Sequence, residues 1–252
     1  MLLLQTGESV SFHGDDHFPM QSVYKLPICM AALQQVDAGK VSIDQQVRVE
    51  KSDLVPRGHS PMRDAHPEGG FEISFRELIR LAIEESDGSA SDVLLRLMGG
   101  TAPVMSMLQE LGIDGIVVVN PERELQSTND VQYRNWATPN QAVKLLNALA
   151  KGQGLSRSSQ DLLLKFMRES TPGEHRIKGM LPVGTAVAHK TGTSFTEAGI
   201  TAATNDVGLV TLPGGRTLAI AVFVSDSPAS DEARDHVIAE IARAAWDWAV
   251  TR

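Results

Sequence analysis

Ser22-Val23-Tyr24-Lys25-Leu26-Pro27-Ile28-Cys29-Met30-Ala31-Ala32-Leu33 is the stretch on which the reading of this chain turns. Its pattern predicts one helix from Ser22 to Val36, ended by Gly39. Pro27 is tolerated there because it lies close to the helix N-terminus. Lys25 stands among Leu26, Ile28 and Met30, where a charged amine needs a reason. Residues three apart share a helix face, so the amine reaches the Ser22 hydroxyl, and the helix N-terminus favours charge developing beside it. A serine so placed is an activated acyl acceptor. The competing reading is a capping serine with a solvated lysine one turn on, and Ser-x-x-Lys arises by chance about once in a chain this long. Cys29 is the one cysteine, which excludes a disulfide and a thiolate zinc site, and in this apolar run it reads as a buried, inert thiol.

Outward from that helix, Leu2–Gln5 and Ser9–His13 read as two short strands around Gly7. From Ser22 to about Phe166 the periodicity is helical. Ser74-Phe75-Arg76-Glu77 has the form of a capping box, Gly99-Gly100 closes a helix, and Thr138-Pro139 opens another. Beyond residue 180, Ala186–Ala188, Val207–Leu212 and Thr217–Val224 read as strands, the last two joined by the turn Pro213-Gly214-Gly215. Val237, Ile238, Ile241, Ala245 and Trp248 form an apolar stripe on a C-terminal helix. The expected fold class is α/β in the α+β sense: an antiparallel sheet flanked by helices, plus an all-helical region. An α/β domain from 1–20 and 167–252 would enclose an all-α domain from 21–166, with a cleft for a small molecule between them.

The 252 residues suffice for a large core, and 42% hydrophobic with 21% charged residues is ordinary for a globular chain. A net charge of −8 excludes a nucleic-acid partner, and no apolar run approaches the ~20 residues of a membrane helix. Met1–Gln5 lacks the basic region, apolar stretch and cleavage site of a signal peptide.

Two further triplets follow the Ser-x-x-Lys pair in chain order. Ser86-Asp87-Gly88 precedes a helix and, taken alone, reads as a turn with a capping side chain. Lys190-Thr191-Gly192-Thr193-Ser194 continues a strand, where Gly192 would let a ligand approach the backbone closely. Each is weak singly; the ordered set is strong. With Asn in the third place of the middle triplet it is the signature of class A β-lactamases and penicillin-binding proteins. Phe18–Pro27, Val131–Trp136, His189–Ser194 and Thr201–Asp206 extend the likeness over nearly the whole length. The chain resembles the class A serine β-lactamases, and within them the PER-type extended-spectrum branch.

That resemblance implies hydrolysis of a small-molecule β-lactam by a monomer, periplasmic or secreted, without metal or organic cofactor. Ser22 would be the nucleophile, with Lys25 or Glu122 taking its proton. Ser86 would relay a proton to the departing nitrogen. Backbone N–H groups of Ser22 and Thr193 would form the oxyanion hole. Lys190, Thr191, Thr193 and Arg176 would hold the substrate carboxylate, with Gly192 and Ser194 on the same strand. Glu122, rather than its neighbour Glu124, would activate the deacylating water. His59 would wall the pocket.

Departures from the family pattern carry their own expectations. Gly88 stands where an asparagine usually contacts both substrate and lysine, so Asn at 88 is expected to raise efficiency. Gln126 replaces an asparagine that helps hold the water. Asn120 and Asn135 replace an Arg–Asp pair bracing the Ω-loop, and Asp92 replaces an asparagine beneath it. The family's N-terminal helix is not seen ahead of Leu2, which is expected to leave the C-terminal stripe partly uncovered and the protein marginally stable or associating. Competing readings are a penicillin-binding protein or DD-peptidase that stalls when acylated, a non-catalytic β-lactam-binding homologue, and a serine glutaminase.

Overall fold

Apolar residues alternating along the last strand make the sheet two-sided: Leu218, Ile220 and Val222 enter one core, while Ala219, Ala221 and Phe223 pack on the other. The computed structural model describes residues 1–125 and 129–252. In chain order the strands are β1 (Leu2–Leu3), β2 (Phe18–Pro19), β3 (Gln46–Glu50), β4 (Gly69–Ser74), β5 (Ile116–Val117), β6 (Trp136–Ala137), β7 (Val187–Thr193), β8 (Thr196–Glu197), β9 (Ile200–Thr211) and β10 (Thr217–Ser227). The main sheet runs β1-β10-β9-β7, antiparallel throughout, with β8 also on β9. Gly214 turns β9 into β10 at φ 77°, a left-handed conformation that glycine adopts without strain.

The helices are α1 (Lys25–Asp37), α2 (Pro61–Ala65), α3 (Phe75–Glu84), α4 (Gly88–Met98), α5 (Ala102–Glu110), α6 (Glu122–Leu125), α7 (Pro139–Ala150), α8 (Arg157–Arg168) and α9 (Asp231–Val250). Every residue of α1 from Lys25 to Leu33 is buried, so up to its last turn this helix has no solvent face and α3, α4, α5 and α8 pack around it. One face of the sheet carries α9; the other meets α7 and α8. The sites where helices start and stop follow the chemistry of their caps. Asp87 accepts the Ala90 N–H at 2.8 Å, Gly99 ends α4 at φ 83°, and Thr138 with Pro139 opens α7.

Several expectations need correction. The helix expected from Ser22 begins as a 3-10 turn, Gln21–Tyr24, and becomes α-helical at Lys25. Ser9–His13 is no strand; Ser9 makes a single bridge to Leu2. The stretch 21–166, expected to be all-helical, also holds the β3–β4 hairpin and two strands, β5 and β6, of the small sheet β2-β6-β5. Ser74 caps α3 by accepting the Glu77 N–H, but the Glu77 carboxylate turns to Arg80 at 2.7–2.9 Å, so the capping box is half formed. On α9 the buried stripe is Ile238, Ala242, Ala245 and Ala249, whereas Val237 and Ile241 are about half exposed. Ile241 and Trp248 instead line an open apolar groove of about 490 Å³ with Phe12, Phe18 and Val222.

Candidate active site

The 3-10 turn brings Ser22 to the head of the buried helix, and Lys25 one turn later points back at it. The Lys25 ammonium donates to Ser22 Oγ at 2.9 Å and to the Ser86 carbonyl at 2.7 Å, and lies 3.2 Å from Glu122 Oε2. This gives the lone amine in the apolar run its reason. An ammonium only 1% exposed is tolerable because an anion and two oxygens surround it. Ser22 itself is partly exposed, as an attacking group must be.

Glu122 opens α6, and two groups fix it from below. Asp92 on α4 accepts the Glu122 N–H at 2.6 Å and the Arg123 N–H at 3.1 Å. Burial pushes the Asp92 carboxyl up to about 6, against the lowering effect of these amide donors. Tyr24, fully buried and two residues beyond Ser22, donates its hydroxyl to Glu122 Oε2 at 2.9 Å. Burial first, then the nearby Glu122 and Asp92 charges, hold that phenol well above the ordinary tyrosine value.

From the opposite side, β7 supplies Lys190. Its ammonium donates to Ser86 Oγ at 2.8 Å and to the Thr191 carbonyl at 3.0 Å, and it is wholly buried. Burial, then the Lys25 charge, hold Lys190 well below the ordinary lysine value. A chain Ser22–Lys25–Ser86–Lys190 thus spans the site, Lys25 touching the Ser86 carbonyl and Lys190 its hydroxyl. Ser86 adopts φ 59° and Gln21 φ 45°, left-handed backbone rare outside glycine, so the backbone around Ser22 and Lys25 is strained. Asn205 on β9 donates to the Pro19 and Met20 carbonyls, at 2.8 and 3.1 Å, and clamps the approach to Ser22 onto the sheet. Gly192 is required where β7 passes this turn: a methyl there would lie 2.3 Å from the Met20 carbonyl oxygen.

The remaining expected residues divide. Arg176 is buried and occupied: it pairs with Asp235 at 2.7 Å, donates to the Gly192 and Asn205 carbonyls, and donates to Thr193 Oγ1 at 2.8 Å. That last bond fixes the hydroxyl of Thr193, an exposed residue at the end of β7. Thr191 is buried with its methyl against Gly173, and the Ser194 hydroxyl accepts the Ala203 N–H within the strand pair. His59 lies at the rim, its Nε2 2.8 Å from the Glu85 carbonyl and its own carbonyl accepting the Gly88 N–H. Gln126 lies outside the described residues.

Sequence reasoning missed Tyr24, Asn205 and the link Gln21–Gln132, in which one amide donates to the other at 2.6 Å across 111 residues. It named Asn135 and Asn120 only as replacements. Asn135 Oδ1 accepts the Val119 and Asn120 N–H groups, its Nδ2 donates to the Asn120 carbonyl, and its own carbonyl accepts the Met20 N–H. A neutral amide therefore braces the loop where an ion pair was absent.

Known proteins resemble this chain over nearly its whole length. A profile described as the β-lactamase enzyme family matches residues 1–249. The chain is 40% identical to β-lactamase VEB-1 of Pseudomonas aeruginosa over 96% of its own length and 81% of that protein. It is 41% identical to the extended-spectrum β-lactamase PER-1 of the same organism, over 92% of this chain and 76% of the relative. The crystal structure of a β-lactamase from Chitinophaga pinensis superposes with a TM-score of 0.95 at 45% identity, covering 98% of this chain and 92% of that one.

Proposed function

This chain belongs to the β-lactamase enzyme family, in the class A group that hydrolyses β-lactams, and on that premise we propose that Ser22 and Glu122 divide a two-step hydrolysis between them. The carrying observation is the unbroken contact from Ser22 Oγ through the Lys25 ammonium to the Glu122 carboxylate, at 2.9 and 3.2 Å.

In the first step Ser22 Oγ attacks the lactam carbonyl. Lys25 passes one of its protons to Glu122 as it takes the hydroxyl proton, so no net charge has to be created in the buried site. The new C–O bond forms, the lactam C–N bond breaks, and Ser86 delivers a proton to the departing nitrogen, replenished from Lys190. Backbone N–H groups of Ser22 and Thr193 hold the oxyanion. Lys190, Thr191 and Thr193, the last held by Arg176, attract the substrate carboxylate, a point charge and hydroxyls serving where the guanidinium is already engaged. Before the second step Glu122 gives up the proton it received and Lys190 recovers the one it lost, which leaves the net charge unchanged and the carboxylate ionised. Glu122 then takes a proton from water, the water oxygen attacks the ester, and the Ser22–acyl bond breaks as that proton passes to Ser22 Oγ.

Likeness to an extended-spectrum relative supports both penicillins and cephalosporins as substrates. The site is built from one chain, which suits a monomer, and the family reading puts the protein in the periplasm or outside the cell. No helix among the described residues is long and apolar enough to cross a membrane. The test is a chromogenic cephalosporin in large excess. The wild type should turn over continuously, while Glu122→Gln should open about one equivalent and retain the acyl group on Ser22, detected by intact mass. Undiminished turnover by that variant would remove Glu122 from the deacylation step.

A further inference from the structure

The side chain of Glu122 is boxed in from two sides by residues outside the catalytic set. On one side lies Gly88, the first residue of α4. A methyl at this position would lie 2.7 Å from Glu122 Cγ and 3.2 Å from Glu122 Cδ, with the His59 carbonyl oxygen also at 3.2 Å. The glutamate therefore rests against the bare Cα of Gly88. On the other side lies Tyr24, whose hydroxyl meets Glu122 Oε2 at 2.9 Å and Ser91 Oγ at 3.5 Å. Ser91 in turn donates to the Gly88 carbonyl at 2.8 Å. Phenol, serine and glycine backbone thus form one continuous wall around the carboxylate, sited on the 3-10 turn Gln21–Tyr24 and on α4 rather than on the element that carries Glu122.

We propose that Tyr24 and Gly88 are paired positioning residues for the deacylating base: the missing side chain at 88 admits the glutamate, and the phenol fixes its carboxylate in ionised form. The inference rests on the reading of Glu122 as that base. It also reverses an expectation from the sequence. Gly88 is there a deficit that Asn would repair; in the structure it is the space Glu122 occupies, so Asn at 88 displaces the base. Nothing about the backbone demands glycine at this position, because Gly88 has an ordinary helical φ and sits in the first turn of α4. Alanine there is favoured on helix propensity, so any loss it causes comes from what its methyl meets, first Glu122 Cγ at 2.7 Å and then the His59 carbonyl oxygen at 3.2 Å.

Removing a hydrogen bond to the ionised form raises a carboxyl group's pKa, and a base is active only when ionised. Tyr24→Phe should therefore slow deacylation by about tenfold, leave the acylation rate within about twofold, and move the acid limb of the kcat profile up by roughly one pH unit. Gly88→Ala and Gly88→Asn should each slow deacylation by on the order of a hundredfold while keeping a full acylation burst, with Gly88→Ala melting no lower than wild type. Stopped-flow burst kinetics between pH 5 and 8 read all three, with Glu122→Gln run in parallel. A role in packing alone would lower the melting temperature of Tyr24→Phe and leave its pH limb in place, which would overturn the proposal. Wild-type deacylation in both glycine variants would overturn it too. If Glu122→Gln deacylates normally, it is the base assignment that fails; if it stalls while Tyr24→Phe and Gly88→Ala do not, the failure belongs to this inference alone.

Discussion

Asp92 holds the first turn of α6 with both carboxylate oxygens while only 6% exposed, and its carboxyl is pushed up to about 6 from an ordinary 3.8. The sign of the resulting pH dependence follows from which state keeps the proton. Between those two values the folded protein holds a proton that the unfolded chain has released, so Asp92 stabilises fully below about pH 4 and that contribution is lost as pH rises through 6. Asp92→Asn removes the titration. Its stability relative to wild type should rise by on the order of 2 kcal/mol between pH 4 and pH 7, read from paired urea denaturation curves. A difference that is flat across that range would mean the carboxylate is hydrated where the structure has it enclosed. Function runs the other way: protonating Asp92 removes an acceptor beneath Glu122, so wild-type turnover should fall below pH 6 more steeply than that of the variant.

Elements differ in how openly the sequence declares them. The β9–β10 hairpin was legible because Pro213-Gly214-Gly215 interrupts two apolar runs, and α4 because Asp87 and Gly99 cap its two ends. The β3–β4 hairpin was not, although Val47 and Val49 alternate inward, because a five-residue strand between helices signals nothing without its distant partner. The three triplets were legible as residue types at fixed spacing, and the fold brings Ser22, Lys25, Ser86 and Lys190 into contact. Tyr24 was not, since an aromatic in an apolar run reads as core, and only the fold carries its hydroxyl to a glutamate 98 residues away. The loop brace is a similar case. Asn135 is wholly buried and satisfies two N–H groups and one carbonyl from Val119 and Asn120. Asn135→Leu strands all three, and should cost about 2–4 kcal/mol by urea denaturation at neutral pH. A loss under 1 kcal/mol would show that water reaches this loop and replaces the bonds.

At the scale of the whole molecule, the site is a seam between distant parts of the chain. Ser22 sits in the turn that leads into the central helix and Lys25 opens that helix, Lys190 reaches Ser86 across 104 residues, and Asn205 clamps Pro19 across 186. The edge strand β1, from the first residues, pairs with β10 near the end. A ribosome must therefore build the chain past Asn205 before the site can assemble, and a nascent chain passes through a long interval with much of its helix formed and the site still open. Loop closure over such separations is slow compared with helix formation. On dilution from denaturant, ellipticity at 222 nm should recover first and cephalosporin turnover last, with a lag that Asn205→Ala lengthens. Simultaneous recovery would mean that the two ends of the chain meet before the helices between them settle. For a cell meeting antibiotic, the lag sets the delay between making this chain and being defended by it.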